Sequence, residues 1–227
     1  MKGEDDEIRI AQLLVSRLSH DLVGTVGAVN AGLELLQEAG SIEIDADADA
    51  LALAAKSARQ MGRKVTFFRI AFGAGLAGNG NSLAEARALA EGFLADGAVR
   101  LDWADFSAET GKLPPEAGKV LLNLVLLGAE SLPRGGAVSV SISMEPAEKQ
   151  QFFLNVMATG DRAGLRAEAL AGLALDARLV DMNARSIHGF FTNRLVRSLC
   201  GDAGGGLHVQ RSEGQVTFKV GPIHLID

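Results

Sequence analysis

From Glu7 to Ala39, apolar residues recur at three- and four-residue spacings with no proline to interrupt them. That is the period of an amphipathic helix. An acidic, alanine-rich connection follows from Gly40 to Asp49, and a second helical pattern runs from Ala50 to Ala71. Two long helices joined by a short link predict an antiparallel hairpin. Such a hairpin cannot bury both of its apolar faces alone, so the expectation is a homodimer that closes a four-helix bundle.

The stretch AFGAGLAGNGNS, Ala71 to Ser82, holds four glycines and two asparagines and reads as a linker. Beyond it the period changes repeatedly. A helix is expected over Leu83 to Leu94 and a strand over Ala98 to Trp103. Pro114 and Pro115 open another helix, which ends near Gly128. Strands follow at Ala137 to Met144 and Gln151 to Met157, then helices at Leu165 to Leu173 and Ile187 to Cys200. The segment GGLHVQRSEGQVTFKVG closes the pattern as a hairpin turning at Glu213-Gly214. The fold class expected is α + α/β. A helical hairpin (1–73) and a linker (74–82) precede a two-layer α/β sandwich (83–227) with mostly antiparallel strands.

A helix advances about 100° per residue, which places each side chain of the first helix on a wheel. Leu14, Leu18, Leu22, Val26, Val29, Leu33 and Leu36 fall within roughly 120° of one another and form the expected core stripe. His20 lies nearly opposite, roughly 170° from the stripe's centre, and is expected to be exposed. Gly24, Gly27 and Ala31 share its sector, Ser16 is close by, and Leu13 and Val23 flank it. Glycine inside a helix costs roughly 0.5–1 kcal/mol relative to alanine. Two on one exposed face point to something that approaches the backbone there. The competing reading is an ordinary solvated histidine beside glycines of no consequence. His188, His208 and His224 have no comparable surroundings and read as surface or core-edge residues.

Composition narrows the partners. The formal charge is −6 and no basic block exists to neutralise phosphates, which argues against nucleic acid. No run approaches the length of a membrane span, and the acidic start MKGEDDE is unlike a secretory signal. A lone cysteine, Cys200, rules out an intrachain disulfide and fits the cytoplasm.

The segment SRLSHDLVGTVGAVNAGLELL, Ser16 to Leu36, resembles the phosphoacceptor helix of alphaproteobacterial ChpT-type histidine phosphotransferases and the phosphoacceptor box of sensor histidine kinases. RKVTFFRIAFGAG, Arg63 to Gly75, is similar to the close of the second helix in the same family. VLLNLVLLGAESLPRGGAVSVSI aligns with the kinase ATP-binding box, with Asn123, Pro133, Gly135 and Gly136 in register but Leu127 where a magnesium-holding asparagine stands. VMATGDRAG resembles a second ATP box, with Ala158 in place of its aspartate and Arg162 in place of its second glycine. The glycine-rich phosphate loop is replaced by HGFFTNRLV. An apolar Leu127 offers nothing to Mg²⁺, and Ala158 accepts no hydrogen bond from adenine. Arg162 and Phe190 are expected to crowd the nucleotide space.

The resemblance implies a kinase-like fold without autokinase activity, which moves phosphoryl groups through His20 between receiver-domain aspartates. The implied partners are the receiver domains of a hybrid histidine kinase and of response regulators. Mg²⁺ belongs to the receiver, and this chain is expected to bind no cofactor or metal. Nε2 of His20 is the implied nucleophile. Asp21 orients or deprotonates the ring, or else serves as an ion-pair partner of Arg17. Leu13, Arg17, Val23, Gly24, Gly27 and Ala31 are the expected docking contacts on the first helix, joined by Arg59, Arg63 and Lys64 on the second. Where relatives carry Ser/Thr-Pro, this chain has Gly24-Thr25, which predicts a less kinked helix and removes a group associated with phosphatase activity. The alternatives are a non-catalytic module that binds receivers and an ATP-using kinase.

Overall fold

The structure, a computed structural model, describes residues 2–38, 44–73, 82–105, 113–145, 151–201 and 204–224. All but the last residue of the expected linker, and the start of the 40–49 connection, lie outside the described residues.

Helix α1 (Lys2–Glu38) and helix α2 (Ile44–Phe72) form the hairpin. Both begin earlier than the apolar periodicity indicates. Glu4 and Asp5 occupy the first turn of α1, where carboxylates favour the positive end of the helix dipole. Alternating aspartate and alanine open α2, and alanine is the strongest helix former. α1 runs unbroken through Gly24-Thr25, in keeping with the missing proline.

The second layer set comprises α3 (Ser82–Leu94), β1 (Val99–Trp103), α4 (Glu116–Glu130), β2 (Gly136–Glu145), β3 (Gln151–Thr159), α5 (Ala167–Leu173), α6 (Ile187–Cys200), β4 (Gly206–Ser212) and β5 (Gln215–His224). A 3₁₀ turn at Leu179–Asp181 was not expected. The sheet order is β1-β2-β3-β5-β4. β1 pairs parallel to β2, after the α4 crossover, and the other pairs are antiparallel. Strands alternate as a half-solvated sheet must. Val138, Val140, Leu154, Val156, Val216, Phe218 and Val220 point into the core and are buried.

One core joins the two parts. Phe67, Phe68, Ile70 and Ala71 at the base of α2 pack with α3 and α4, and Phe67 stacks on Phe93 with ring centroids 4.2 Å apart. Leu14 of α1 packs with Leu179, Met182, Ile187 and Phe190 in a second cluster. The hairpin is thereby seated on the sandwich at the level of His20. Among the described residues no helix is long and apolar enough to cross a membrane.

The expected stripe on α1 is only partly covered. Leu14 is buried, but Val26 is 41% and Leu33 46% exposed. The covered arc is instead centred on Leu14, Thr25 and Gly32. A side chain on Gly32 would come within 3.0 Å of the Ala54 backbone nitrogen, so the two helices meet there through small residues. The uncovered flank carries Ile8, Val15, Val26 and Leu33, all at roughly 60–80° on the wheel. Intrachain packing of α2 and of the sandwich rotates the buried face away from the stripe's centre.

Candidate functional site

His20 projects from α1 with its side chain 87% exposed. Its Nδ1 lies 3.3 Å from Asp21 Oδ1. The other carboxylate oxygen, Oδ2, accepts a 2.7 Å hydrogen bond from Arg17 Nε. The two readings of Asp21 are therefore compatible, since one oxygen faces the imidazole and the other the guanidinium. A carboxylate at Nδ1 favours the tautomer with its proton on that nitrogen, leaving the Nε2 lone pair directed to solvent.

Arg17 is not free for a partner. Its Nη2 donates to Glu130 Oε1 at the end of α4, and the side chain is largely covered. Burial pulls the Arg17 guanidinium down, but Glu130 and Asp21 outweigh it and hold the group above its ordinary range. Glu130 is balanced the opposite way. Burial pushes its carboxyl up, while His188 and Arg17 beside it hold it below the usual carboxylate range. His188 is fully buried, with Nδ1 3.7 Å from Glu130 Oε2. That is too long for a hydrogen bond, and neither ring nitrogen has one among the described residues. Phe72 packs edge-on against this ring at 5.3 Å.

Val23, Gly24, Gly27 and Ala31 are exposed and Leu13 is half-buried. A Cβ added at Gly24 or Gly27 would meet nothing within 4 Å. Among the described residues, packing requires neither glycine. Ser16, Arg17, His20 and Asp21 form one wall of a cleft of about 410 Å³ whose far side carries Leu165, Arg166 and Arg185 of the sandwich. Of the basic residues expected to dock a partner from α2, Arg59 is exposed. The other two are engaged internally. Arg63 Nη2 lies 3.3 Å from Asp96, and Lys64 Nζ donates to Thr25 Oγ1 at 3.1 Å. Thr25 is buried because it falls in the covered arc of α1, so its hydroxyl does not face His20.

The positions aligned with the kinase ATP boxes are filled. Leu127 and Ala158 are fully buried in the core, and Phe190 packs against Leu14. Asn123, the retained box asparagine, donates through Nδ2 to Ala71 O at 2.8 Å and Lys119 O at 2.9 Å. It ties the end of α2 to α4. Arg162 does not crowd this space, contrary to expectation: it is exposed, in a turn with φ of 57°. Its neighbour Asp161 pairs with Arg134 at 2.6 Å, linking the two box segments at the surface.

Sequence reasoning missed Glu130, His188 and Arg9. Arg9 donates to the carbonyls of Leu179, Val180 and Met182 and clamps the 3₁₀ turn to α1. His208 is exposed on β4 and has no part in the site. Among the described residues no cluster of His, Cys, Asp and Glu has the grouping of a metal site.

Fold and site together define a class: a long helical hairpin bearing an exposed, carboxylate-backed histidine, seated on an α/β sandwich in which Leu127, Ala158 and Phe190 are packed. The model of the histidine phosphotransferase C-terminal domain matches residues 83–215, more than half of the chain, and the chain belongs to that family. The match covers the sandwich; α1 lies outside it. Protein phosphotransferase ChpT of Brucella abortus (strain 2308) is 39% identical over 134 residues, which is 59% of this chain and 60% of that protein. The chain thus spans less than two thirds of that curated relative's length. A solved bacterial phosphotransferase superposes with a TM-score of 0.71 at 27% identity, over 94% of this chain and 96% of that one.

Proposed function

We propose that this protein is a histidine phosphotransferase that carries phosphoryl groups on His20 between receiver-domain aspartates in a phosphorelay. The observation that carries the reading is the exposed ring with Asp21 at Nδ1 and open glycine backbone beside it. The Nε2 lone pair attacks the phosphorus of an aspartyl phosphate. The N–P bond forms as the O–P bond breaks, and the receiver carboxylate leaves with the electron pair. Positive charge develops on the ring, the Nδ1 proton stays in place, and Asp21 stabilises both. The reverse sequence delivers the group to the next receiver. Mg²⁺ and the remaining charge neutralisation are contributed by the receiver.

The docking face on this reading is Leu13, Val23, Gly24, Gly27 and Ala31, with Arg59 as an exposed cation on α2. Arg17 supports the site from within. The uncovered flank of Ile8, Val15, Val26 and Leu33 is the dimer face, since an apolar strip of that length on one helix calls for a partner. Packed side chains at Leu127, Ala158 and Phe190 support a carrier that does not draw on ATP. The same reading places the protein in the cytoplasm with its receivers. As a test, receiver domains charged with acetyl phosphate are mixed with wild type and with His20→Ala. Acid-labile phosphate is expected on wild type only. Equal labelling of His20→Ala removes His20 from the mechanism. Retained receiver binding with no phosphate on wild type instead identifies a non-catalytic binding module.

A further inference from the structure

We infer that Glu130, on the sandwich, is a positioning residue for phosphoryl transfer at His20, acting through Arg17 and Asp21; the inference rests on the role of His20 proposed above. The contacts form a continuous line from the sandwich to the reacting nitrogen. Glu130 Oε1 takes Arg17 Nη2, Arg17 Nε reaches Asp21 Oδ2 at 2.7 Å, and Asp21 Oδ1 faces His20 Nδ1 at 3.3 Å.

Each link needs the one before it. An exposed i,i+4 pair on a helix is a weak contact, while an arginine side chain gives up much rotamer freedom to hold one geometry. Arg17 and Asp21 alone on α1 would therefore hold a fixed geometry only part of the time. Glu130 changes this because the guanidinium is planar and rigid. Anchoring Nη2 on α4 fixes the direction of Nε, which in turn holds the Asp21 carboxylate with one oxygen turned to His20. Glu130 itself is held in place. It ends α4, and its second oxygen faces buried His188 on α6. Without that chain of contacts, an exposed ring populates both neutral tautomers, and the form protonated on Nε2 carries its lone pair on Nδ1, not on the nitrogen that attacks phosphorus. The sandwich thus enters the chemistry of a histidine it does not touch.

The test compares full-length wild type with Glu130→Gln and Glu130→Asp. Side-chain ¹⁵N spectra of histidine-labelled, unphosphorylated protein report the tautomers of His20. Single-turnover transfer from an acetyl-phosphate-charged receiver domain separates the saturating rate from the half-saturating concentration. In Glu130→Gln the share of His20 protonated on Nδ1 is expected to fall. The saturating rate should drop about tenfold, with half-saturation unchanged within about twofold. Glu130→Asp should fall between the two. If Glu130→Gln does not melt cooperatively, Arg17→Lys removes the planar bridge while keeping the charge, and is expected to show the same His20 shift. A folded Glu130→Gln with wild-type His20 spectra and rate overturns the inference. A change in half-saturation alone also overturns it, assigning Glu130 to docking. Failure of the His20 reading is separately visible, as phosphate absent from wild type or present on His20→Ala.

Discussion

Replacing Gly27 by alanine should raise the stability of this protein and lower its usefulness to a partner. The added Cβ meets nothing within 4 Å, so helix propensity alone decides the effect on the free chain. Alanine is favoured over glycine by about 0.5–1 kcal/mol in a helix interior. In a protein of this size that raises Tm by about 2–4 °C. On the proposed docking face, however, the same methyl occupies space where a receiver packs against backbone. Overpacking a fitted contact costs about 1–3 kcal/mol, or about tenfold in affinity per 1.4 kcal/mol. Gly32→Ala is the internal control. There the new Cβ would lie 3.0 Å from Ala54 N and Cβ and 3.1 Å from Ala50 O. These atoms move only if α1 and α2 separate, so the propensity gain is cancelled and Tm should fall. Thermal and urea melts followed by circular dichroism measure the first effect. Receiver titration and transfer rate measure the second. A Gly27→Ala protein that is more stable and still binds and receives phosphate like wild type refutes the docking face. One that is less stable refutes the open geometry around Gly27.

Asn123→Ala should cost about 1–3 kcal/mol, because it strands the buried Ala71 carbonyl and removes a second hydrogen bond to Lys119; the urea midpoint measures the loss. On the proposed dimer face, Val26→Glu is expected to leave the fold intact, the residue being exposed in the single chain, while shifting sedimentation toward monomer; a monomeric wild type or an unchanged dimer would refute that face. Glu130 makes stability pH-dependent with a defined sign. Its folded carboxyl is held below the ordinary carboxylate value: burial pushes it up, and His188 on α6 and Arg17 on α1 outweigh that. The contribution is therefore present above that value and disappears as pH falls through the lower folded one. The advantage of wild type over Glu130→Gln in urea should be constant near neutrality and shrink in acid. An advantage that grows in acid would contradict this arrangement.

The parts of the fold set by local chemistry were legible from the chain. α6 spans the expected Ile187 to Cys200, and the terminal hairpin turns at Glu213-Gly214, where Gly214 adopts φ of 70°. The wheel also placed His20 in solvent, because an apolar stripe fixes what lies opposite it. It failed on Val26 and Leu33, since a stripe says which residues seek cover and not which neighbour provides it. Thr25 and Gly32 show the same limit from the other side. Both sit within or beside the stripe's sector but were not read as core. Their burial follows from where α2 lies, with Lys64 reaching Thr25 and Ala54 meeting Gly32.

The site divides along the same physical line. The Arg17–Asp21 pair is an i,i+4 contact on one helix and could be anticipated from spacing. The Arg17–Glu130 pair spans 113 residues and exists only once the hairpin is seated on the sandwich. That seating is produced by apolar groups that carry no chemistry: Leu14 among Leu179, Met182, Ile187 and Phe190, and Phe67 against Phe93. Phe190 stands in the segment that replaces the phosphate loop, and Asn123 survives from the ATP box to cap α2 against α4. Phe190 at Leu14 and Asn123 at Ala71 thus help to hold the hairpin on the sandwich. Phe190→Gly is therefore expected to loosen the hairpin and slow transfer at His20, measured by single-turnover transfer from a charged receiver domain; an unchanged rate would separate this packing from the positioning of His20.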